Sequence, residues 1–362
     1  MMLLGDVKKI LLIQLGDIGD VVWMTPTLWA VKAACPQADL FVLLREGNGA
    51  LLEADPAVCG TIEIKKYRGS LYERLREQFR FIRDFRRRRF DMVIDLRADD
   101  RGAIMARLSG APVRVAQHYR GVPFWRNRFF TQLVKPPPRK DEASGAAEQS
   151  LRIVRELGME AQTAVPRLWV REEVKKSAGG LLKESGIDVL SRWVSLNPFS
   201  RWSYKELPYD KWIRIIDWLW KEFHMASVIV GSEAERKKAD KLADGCSGKV
   251  YNLAGRTNLA ALAALQSFSS LHIGVDSAAP LIAAAVGVPT VTIYGPSDWR
   301  EWAPHGKQHR VVVAEGDCVP CHRKGCDNSN VSTCLENIPT EKIEETVREA
   351  LISKENRGQV LH

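Results

Sequence analysis

The chain has 362 residues, of which 45% are hydrophobic and 27% are charged, a composition typical of globular proteins and a length typical of two domains. No apolar run reaches the length of a membrane span, and the apolar stretch 10–15 ends at Gly16-Asp17 without a cleavage site, which predicts a cytoplasmic protein. The net charge of +9 favours an anionic partner: a phosphorylated substrate, an anionic membrane face or nucleic acid. Nucleic acid is the least favoured, because the chain has no helix-turn-helix, zinc-finger or aromatic RNA-binding motif.

In the first half, short β-branched apolar runs alternate with longer amphipathic segments, the pattern of a parallel sheet with crossover helices. The predicted strands are 10–15, 40–44, 61–65, 92–96 and 113–116. The predicted helices are 20–33, 72–88 and 148–157, and the proline-containing stretch 134–145 is predicted as a surface loop. Arginines are concentrated in this half, with a run at 86–89.

The second half repeats the alternation. Its predicted strands are 193–197, 227–230, 250–253, 271–275 and 290–294, and its predicted helices are 210–223, 234–243, 260–266, 281–286 and a last one that begins near Thr340. We therefore predict an α/β fold with two Rossmann-like domains, residues 1–165 and 188–337, a linker at 166–187, and a final helix and tail at 338–362. Such pairs of domains hold ligands in the cleft between the carboxyl ends of their strands.

The first candidate site follows the first predicted strand and contains Gly16-Asp17-Ile18-Gly19-Asp20. It lacks the third glycine of the dinucleotide fingerprint, and two carboxylates at a helix N-terminus repel a pyrophosphate. The helix dipole stabilises Asp20 as an anion there, which suits a base that takes a proton from an incoming hydroxyl. The structural alternative is that Asp17 and Asp20 only cap the helix.

The second candidate site follows the first predicted strand of the second half, in the stretch 197–208. Ser200 and Lys205 are suited to contact phosphate oxygens, with Lys205 neutralising the charge of a leaving diphosphate. The alternative is an ordinary surface lysine in a loop.

The third candidate site is the small-residue turn Gly274-Val275-Asp276-Ser277-Ala278, at the end of the predicted strand 271–275. A turn of this kind at a helix N-terminus is a suitable cradle for a diphosphate. Asp276 would then orient backbone amides or bind a sugar hydroxyl. The alternative is a strand-to-helix cap, which is common in α/β folds.

Together with Asn252-Leu-Ala-Gly-Arg-Thr257 and Tyr294-Gly-Pro-Ser297, these motifs resemble, in their order along the chain, glycosyltransferase family 9, the ADP-heptose:lipopolysaccharide heptosyltransferases. The resemblance extends from Lys9 to about Leu351 and rests on the order of the motifs, since none is specific alone. It implies the GT-B fold, with two Rossmann-like domains facing across a cleft and the last helix crossing back to the first domain. It also implies an inverting transfer of heptose, or a related sugar, from ADP-heptose to the inner core of lipopolysaccharide, by direct displacement.

The resemblance also implies roles for single residues. Asp20 matches the family's catalytic base. The donor-binding residues would be Ser200, Lys205, Gly231, Glu235, Asp276, Ser277 and Ala278, with Glu233 as the alternative to Glu235. The chain departs from the family pattern where Leu281 stands in place of a histidine, and where no histidine precedes the helix that contains Glu148.

The basic first half would serve a phosphorylated and carboxylated acceptor, the lipid A–core glycolipid, at the cytoplasmic surface of the inner membrane. The candidate acceptor-binding residues are Asp17, Arg97, Arg101 and Arg120. No D-x-D pair occurs in the chain, so the sequence does not suggest a metal-bridged diphosphate, and no cofactor is expected besides the donor substrate itself.

Four cysteines, Cys318, Cys321, Cys326 and Cys334, are clustered near the carboxyl end of the second domain. Their spacing is compatible with a structural zinc or iron–sulfur site. The competing interpretation is a set of reduced thiols, as expected in a reducing compartment, or disulfides within a loop.

Two other functions are compatible with these features. One is a GT-B enzyme that acts on another nucleotide-sugar, including a sugar-nucleotide epimerase. The other is a basic nucleic-acid-binding protein, whose affinity would fall steeply with salt concentration.

Overall fold

The computed structural model describes residues 4–65, 69–97, 99–136 and 145–358, without the side chains of residues 4, 328 and 354–358. The contacts along the chain divide it into two compact units, Met1–Trp169 and Val170–His362. The predicted loop at 134–145 lies largely outside the described residues.

The first unit is built on a parallel six-stranded sheet of order β3-β2-β1-β4-β5-β6. Its strands are β1 (Lys9–Gln14), β2 (Asp39–Arg45), β3 (Gly60–Ile64), β4 (Met92–Asp95), β5 (Val113–Gln117) and β6 (Gln132–Val134). Strand order reverses between β1 and β4, where Ile10 pairs with Met92 and Ile13 with Asp95. In sheets of this order, ligands bind at that reversal, outside the carboxyl ends of the strands.

In the described part of the first unit, six α-helices accompany this sheet. They are α1 (Ile18–Trp23), α2 (Thr25–Ala34), α3 (Leu71–Arg87), α4 (Asp100–Ser109), α5 (Phe124–Arg128) and α6 (Glu148–Arg155). The single helix predicted at 20–33 is two helices, which meet at Met24. Pro26 explains the break, because it has no N–H to continue the first helix but is well tolerated in the first turn of the second.

The core of the first unit forms where the apolar strands meet the helices. Leu11, Ile13 and Val93 are fully buried, and Phe85 of α3 packs against Phe90 with ring centroids 5.8 Å apart. The predicted strands of this half are confirmed, but β6 was missed. It has three residues at the sheet edge and only one of them is buried, so it has no apolar run to reveal it.

The second unit repeats the architecture, with a parallel six-stranded sheet of order β12-β11-β10-β7-β8-β9. Its strands are β7 (Trp193–Asn197), β8 (Ala226–Ile229), β9 (Val250–Asn252), β10 (Leu271–Val275), β11 (Thr290–Tyr294) and β12 (His309–Val313). Strand order reverses between β7 and β10, where Asn197 is the register partner of Gly274. β12 was not predicted, because it is a half-buried edge strand whose pattern is weak. The predicted α/β class with two Rossmann-like sheets is confirmed.

The helices of the second unit are α7 (Glu172–Glu184), α8 (Tyr209–Phe223), α9 (Arg236–Asp244), α10 (Leu259–Gln266), α11 (Ala278–Ala285), α12 (Trp299–Trp302), α13 (Thr333–Glu336) and α14 (Thr340–Gly358). The segment predicted as a linker contains α7, whose Ala178 and Leu182 are buried in a cluster with Leu265. Helix α14 packs on α8 and β12 through Ile343 and Val347. Its predicted crossing back to the first domain stays a prediction.

Candidate functional site

Asp20 lies at the strand-order reversal of the first unit, in the first turn of α1, the helix that follows β1. Asp17 is the N-cap of α1, and its backbone N–H donates to Oδ2 of Asp20 at 2.7 Å. The side chain of Asp20 folds back over Gly16, where an added Cβ would lie 2.2 Å from Oδ2. Gly16 is therefore required for this close approach, and the turn both caps the helix and fixes a carboxylate at the sheet edge.

Arg97, beyond the end of the strand next to β1, forms an ion pair with the carboxylate of Asp20. It follows β4, and its NH1 lies 2.7 Å from Oδ2 of Asp20, whose side chain is only 15% exposed. Burial raises the pKa of Asp20 above its ordinary value, while Arg97 and the Asp17 N–H act to lower it. The result is a positioned, half-desolvated carboxylate, as a general base requires.

The other residues predicted to contact the acceptor have different surroundings. Asp17 pairs with Arg45, at the end of β2, a residue that the sequence analysis did not select. Arg101 lies 3.7 Å from Asp99, which is also 3.6 Å from Arg97. Two of the predicted acceptor contacts, Arg97 and Arg101, thus belong to a chain of ion pairs that ends at Asp20, and Asp17 joins it through its backbone N–H. Arg120 is exposed beyond β5.

Lys205 and Asp276 meet at the strand-order reversal of the second unit. Lys205 ends a short 3-10 turn (Ser203–Lys205) after β7, and its Nζ lies 2.5 Å from Oδ2 of Asp276, which follows β10. Ser200 also connects the segment after β7 to the segment after β10, because its Oγ donates to the backbone carbonyl of Asp276 at 3.2 Å. The second and third sequence motifs therefore form one site, which carries an ammonium group held by a carboxylate.

The start of α11 is organised by side chains from β7. Ser277 Oγ donates to Oδ1 of Asn197 at 2.8 Å, and the amide of Asn197 donates to the backbone carbonyl of Val230. Ala278 is the first residue of the eight-residue helix α11. Leu281, at the position where the family has a histidine, is only 7% exposed and packs in the core, so this chain has an apolar contact there.

Gly231 and Glu235 lie in the neighbouring turn, after β8. Glu235 Oε2 accepts hydrogen bonds from the backbone N–H and the hydroxyl of Ser232, at 2.6 and 2.9 Å. An added Cβ at Gly231 would lie 2.8 Å from the same oxygen. Glu233, the alternative, is exposed and lies 3.3 Å from Arg236. Of the two acids, Glu235 has the shorter hydrogen bonds.

A buried histidine that the sequence analysis missed supports the turn after β10. His272 is fully buried, and its Nδ1 lies 2.7 Å from Ser195 Oγ and 3.2 Å from Gln266 Nε2. Gln266 also donates to the backbone carbonyl of Ala279, in the first turn of α11. An added Cβ at Gly274 would lie 2.9 Å from His272 Nε2, which explains the glycine of that motif.

Burial lowers the pKa of His272 from 6.5 to about 3. A histidine that stays neutral in the folded state but binds a proton when unfolded stabilises the fold above pH 6.5 and costs stability as the pH falls toward 3. We expect the free energy of unfolding to fall by up to roughly 1.4 kcal/mol per pH unit in this window from His272 alone. In urea unfolding experiments between pH 7 and 4, the free energy of unfolding should fall less steeply with decreasing pH in His272→Asn than in the wild type. Equal slopes would contradict the assignment, and Ser267→Ala, outside this network, serves as the control.

Three of the clustered cysteines, Cys318, Cys321 and Cys326, lie in the segment between β12 and α13, and Cys334 lies in α13. All seven cysteines of the chain are free thiols, and burial, followed by the nearness of Cys326, raises the pKa of Cys334. Within the part of the chain that the structure describes, no three His, Cys, Asp or Glu side chains are arranged to hold a metal ion. Cys321 and Cys318 also contribute to the raised pKa of Cys334, and the predicted structural zinc or iron–sulfur site stays a prediction.

The same segment is hydrogen-bonded to the turn that contains Lys205. Ser332 Oγ donates to the backbone carbonyl of Tyr204 at 2.7 Å, and Ser203 Oγ donates to that of Asn330 at 3.1 Å. The cysteine-containing loop therefore supports the turn that presents Lys205.

Two Rossmann-like units, with a largely buried carboxylate at the strand reversal of one and a lysine–aspartate pair at that of the other, match the architecture of the GT-B fold class. The family model of glycosyltransferase family 9 (heptosyltransferase) matches residues 78–332. The chain belongs to this family and is a glycosyltransferase.

Known relatives agree with this assignment. Lipopolysaccharide heptosyltransferase 3 of Escherichia coli is 28% identical over 298 residues, which cover 79% of this chain and 84% of the relative. A glycosyltransferase family 9 structure from Veillonella parvula has a TM-score of 0.80 at 20% identity and covers 97% of this chain and 99% of its own. The E. coli heptosyltransferase WaaC with ADP has a TM-score of 0.74 at 19% identity, over 94% of this chain and 99% of its own.

Proposed function

We propose that the protein transfers heptose from ADP-heptose to the inner core of lipopolysaccharide, with inversion at the anomeric carbon. Membership of the heptosyltransferase family supports this substrate pair, as do its relatives, among them a lipopolysaccharide heptosyltransferase and a heptosyltransferase solved with ADP. The observation that carries the mechanism is the carboxylate of Asp20, held at 2.7 Å by Arg97 and 15% exposed, at the position in the fold where ligands bind.

In the proposed reaction, a carboxylate oxygen of Asp20 takes the proton from the acceptor hydroxyl as its oxygen attacks the anomeric carbon. The bond between that carbon and the diphosphate oxygen breaks, and ADP leaves with the electron pair. Lys205 and the backbone N–H groups of the turn after β10 stabilise the charge that develops on the diphosphate. The sequence has no D-x-D pair to suggest a metal-bridged diphosphate, which supports stabilisation of the diphosphate by a lysine and backbone amides.

We propose that the donor is held by Ser200, Lys205, Gly231, Glu235, Asp276, Ser277 and Ala278, all in the second unit. Asp276 keeps Lys205 oriented at 2.5 Å until the diphosphate competes for the ammonium group. On the acceptor side, Arg101 and Arg120 would meet the phosphates of the glycolipid. Arg97 would mainly position Asp20, and Asp17 would do so through its backbone N–H.

We further propose that the enzyme works on the cytoplasmic face of the inner membrane, as a peripheral protein. The net charge of +9 and the anionic, membrane-anchored acceptor support this location. Among the described residues, none of the helices combines the length and hydropathy needed to cross a bilayer.

A nucleotide titration followed by a transfer assay tests the proposal. Calorimetry should show tighter binding of ADP than of UDP or GDP. Mass spectrometry should then show one heptose added to a lipid A–inner-core acceptor only when ADP-heptose is present. A preference for UDP or GDP, or the absence of a heptosylated product with ADP-heptose, would reject the substrate assignment.

A further inference from the structure

Helix α3 exposes a row of large apolar side chains. Phe85 is buried under it and Phe81 packs beside Phe85, but Leu71, Tyr72, Leu75 and Phe79 are exposed. The exposed fractions reach 70% for Leu71 and 71% for Phe79. Four-residue spacing puts Leu71, Leu75 and Phe79 on one face of the helix, with Tyr72 at its border. Contiguous apolar surface of this kind marks a site of interaction.

The charges of α3 are distributed unevenly around this face. The helix contains six arginines and three acidic residues. The acidic residues Glu77 and Asp84 lie on the side away from the apolar row and pair there with arginines, for example Arg80 with Glu77 at 3.5 Å. Arg76 and Arg86 lie on or beside the apolar row, are exposed, and form no ion pair within the described residues. The apolar row is thus accompanied by uncompensated positive charge.

The position of α3 in the fold links this surface to the candidate base. β3 ends at Ile64 and α3 begins at Leu71, so the exposed start of the helix lies at the carboxyl edge of the parallel sheet. Asp20 follows β1 at the same edge. Phe124, which is 74% exposed, also follows a strand of this sheet. Exposed apolar side chains and Asp20 therefore share one edge of the first unit.

We infer that the α3 face, defined by Leu71, Tyr72, Leu75, Phe79, Arg76 and Arg86, docks on the surface of an anionic lipid bilayer. An amphipathic helix with apolar and arginine side chains on one face lies in the interface plane, with its apolar residues among the acyl chains and its cations at the anionic headgroups. A second copy of this chain is disfavoured as the occupant, because a self-complementary contact would bring the same arginines together. The surface is assigned from geometry, and its purpose, delivery of a glycolipid to Asp20, rests on the proposed function.

Vesicle sedimentation tests the assignment. The full-length protein should bind vesicles of phosphatidylcholine with phosphatidylglycerol, bind pure phosphatidylcholine vesicles weakly, and lose affinity as salt increases. Leu71→Ser/Phe79→Ser should weaken binding to the anionic vesicles by about tenfold or more. Arg76→Gln/Arg86→Gln should weaken it by about fivefold for each arginine removed.

Matched controls come from the second unit. Leu190→Ser, at a side chain 91% exposed, and Lys237→Gln, on the exposed side of α9, should bind vesicles like the wild type. All of the replaced side chains are exposed, so thermal unfolding midpoints should be unchanged. Wild-type binding by both α3 variants would overturn the inference. So would a wild-type dimer that dissociates in Leu71→Ser/Phe79→Ser without any vesicle binding.

An activity comparison separates this inference from the proposed function. The α3 variants should transfer heptose to a deacylated, water-soluble acceptor at the wild-type rate and lose at least about tenfold on the same acceptor embedded in anionic vesicles. An equal loss on both acceptors would overturn the docking role. If the wild type is inactive on both acceptors but binds vesicles through α3, the proposed function fails and the docking surface stands.

Discussion

Replacing Asp20 with asparagine should lower kcat for heptosyl transfer by about 10²–10⁴-fold, the usual contribution of a positioned general base. Asparagine keeps the shape of the side chain and an oxygen for the N–H of Asp17, but it cannot accept the proton of the acceptor hydroxyl. The affinity for ADP, measured by calorimetry, should stay within about twofold of the wild-type value. This is because the proposed donor-binding residues all lie in the second unit.

The pH profile adds a second test of the same assignment. Because burial raises the pKa of Asp20, the acidic limb of wild-type kcat/KM should lie above the ordinary range of aspartate, and activity should fall as Asp20 becomes protonated. The residual activity of Asp20→Asn should lack this limb.

Asp99→Asn is the matched control, since Asp99 also lies beside Arg97, at 3.6 Å, and asparagine caps α4 as well as aspartate does. It should keep near-wild-type kcat. Wild-type turnover in Asp20→Asn, or the same loss in both variants, would show that Asp20 is not the base.

Replacing Lys205 with alanine should lower kcat by about 10²–10³-fold, the effect of removing one preorganised group that stabilises developing charge. The effect has two physical sources. The ammonium group that stabilises the negative charge of the leaving diphosphate is lost. The carboxylate of Asp276 is also left without its partner beside that diphosphate. The affinity for ADP should fall as well, because the product carries the same charges.

Lys238→Ala provides the comparison for Lys205. Lys238 is also an ion-paired lysine of the second unit, with its Nζ 3.3 Å from Glu206, but it does not contact Asp276. Its loss should change kcat and ADP affinity by no more than about twofold, since a half-exposed ion pair contributes little. Single-turnover rates and calorimetric Kd values for ADP, measured for Lys205→Ala and Lys238→Ala, test this difference. Equal effects of the two substitutions would remove Lys205 from the leaving-group role.

The sequence identified the three strand-end motifs but not how their side chains are paired. Asp20, Lys205 and Asp276 were selected because each follows a predicted buried strand. The pairing of Lys205 with Asp276 joins residues 71 positions apart, and that of Arg97 with Asp20 joins residues 77 positions apart. Spacing along the chain holds no information on such pairs, because they depend on which strands are neighbours in the sheet.

The role of His272 could not be predicted from the sequence, for a different reason. In the sequence this histidine is a lone polar residue within an apolar strand. Only packing showed that Ser195 and Gln266 meet it and that Gln266 reaches the first turn of α11. Arg45 was missed for a related reason, since nothing local links the end of β2 to Asp17.

By itself, the sequence determined the alternation of strands and helices and hence the two Rossmann-like sheets. This follows because hydrophobic periodicity and glycine-containing turns are local properties of the chain. Only the tertiary structure decided the strand order, the ion pairs at the two reversals, the hydrogen bond between Asn197 and Ser277, and the apolar face that α3 leaves uncovered. These features depend on which distant segments come into contact, and burial and charge pairing are set only at those contacts.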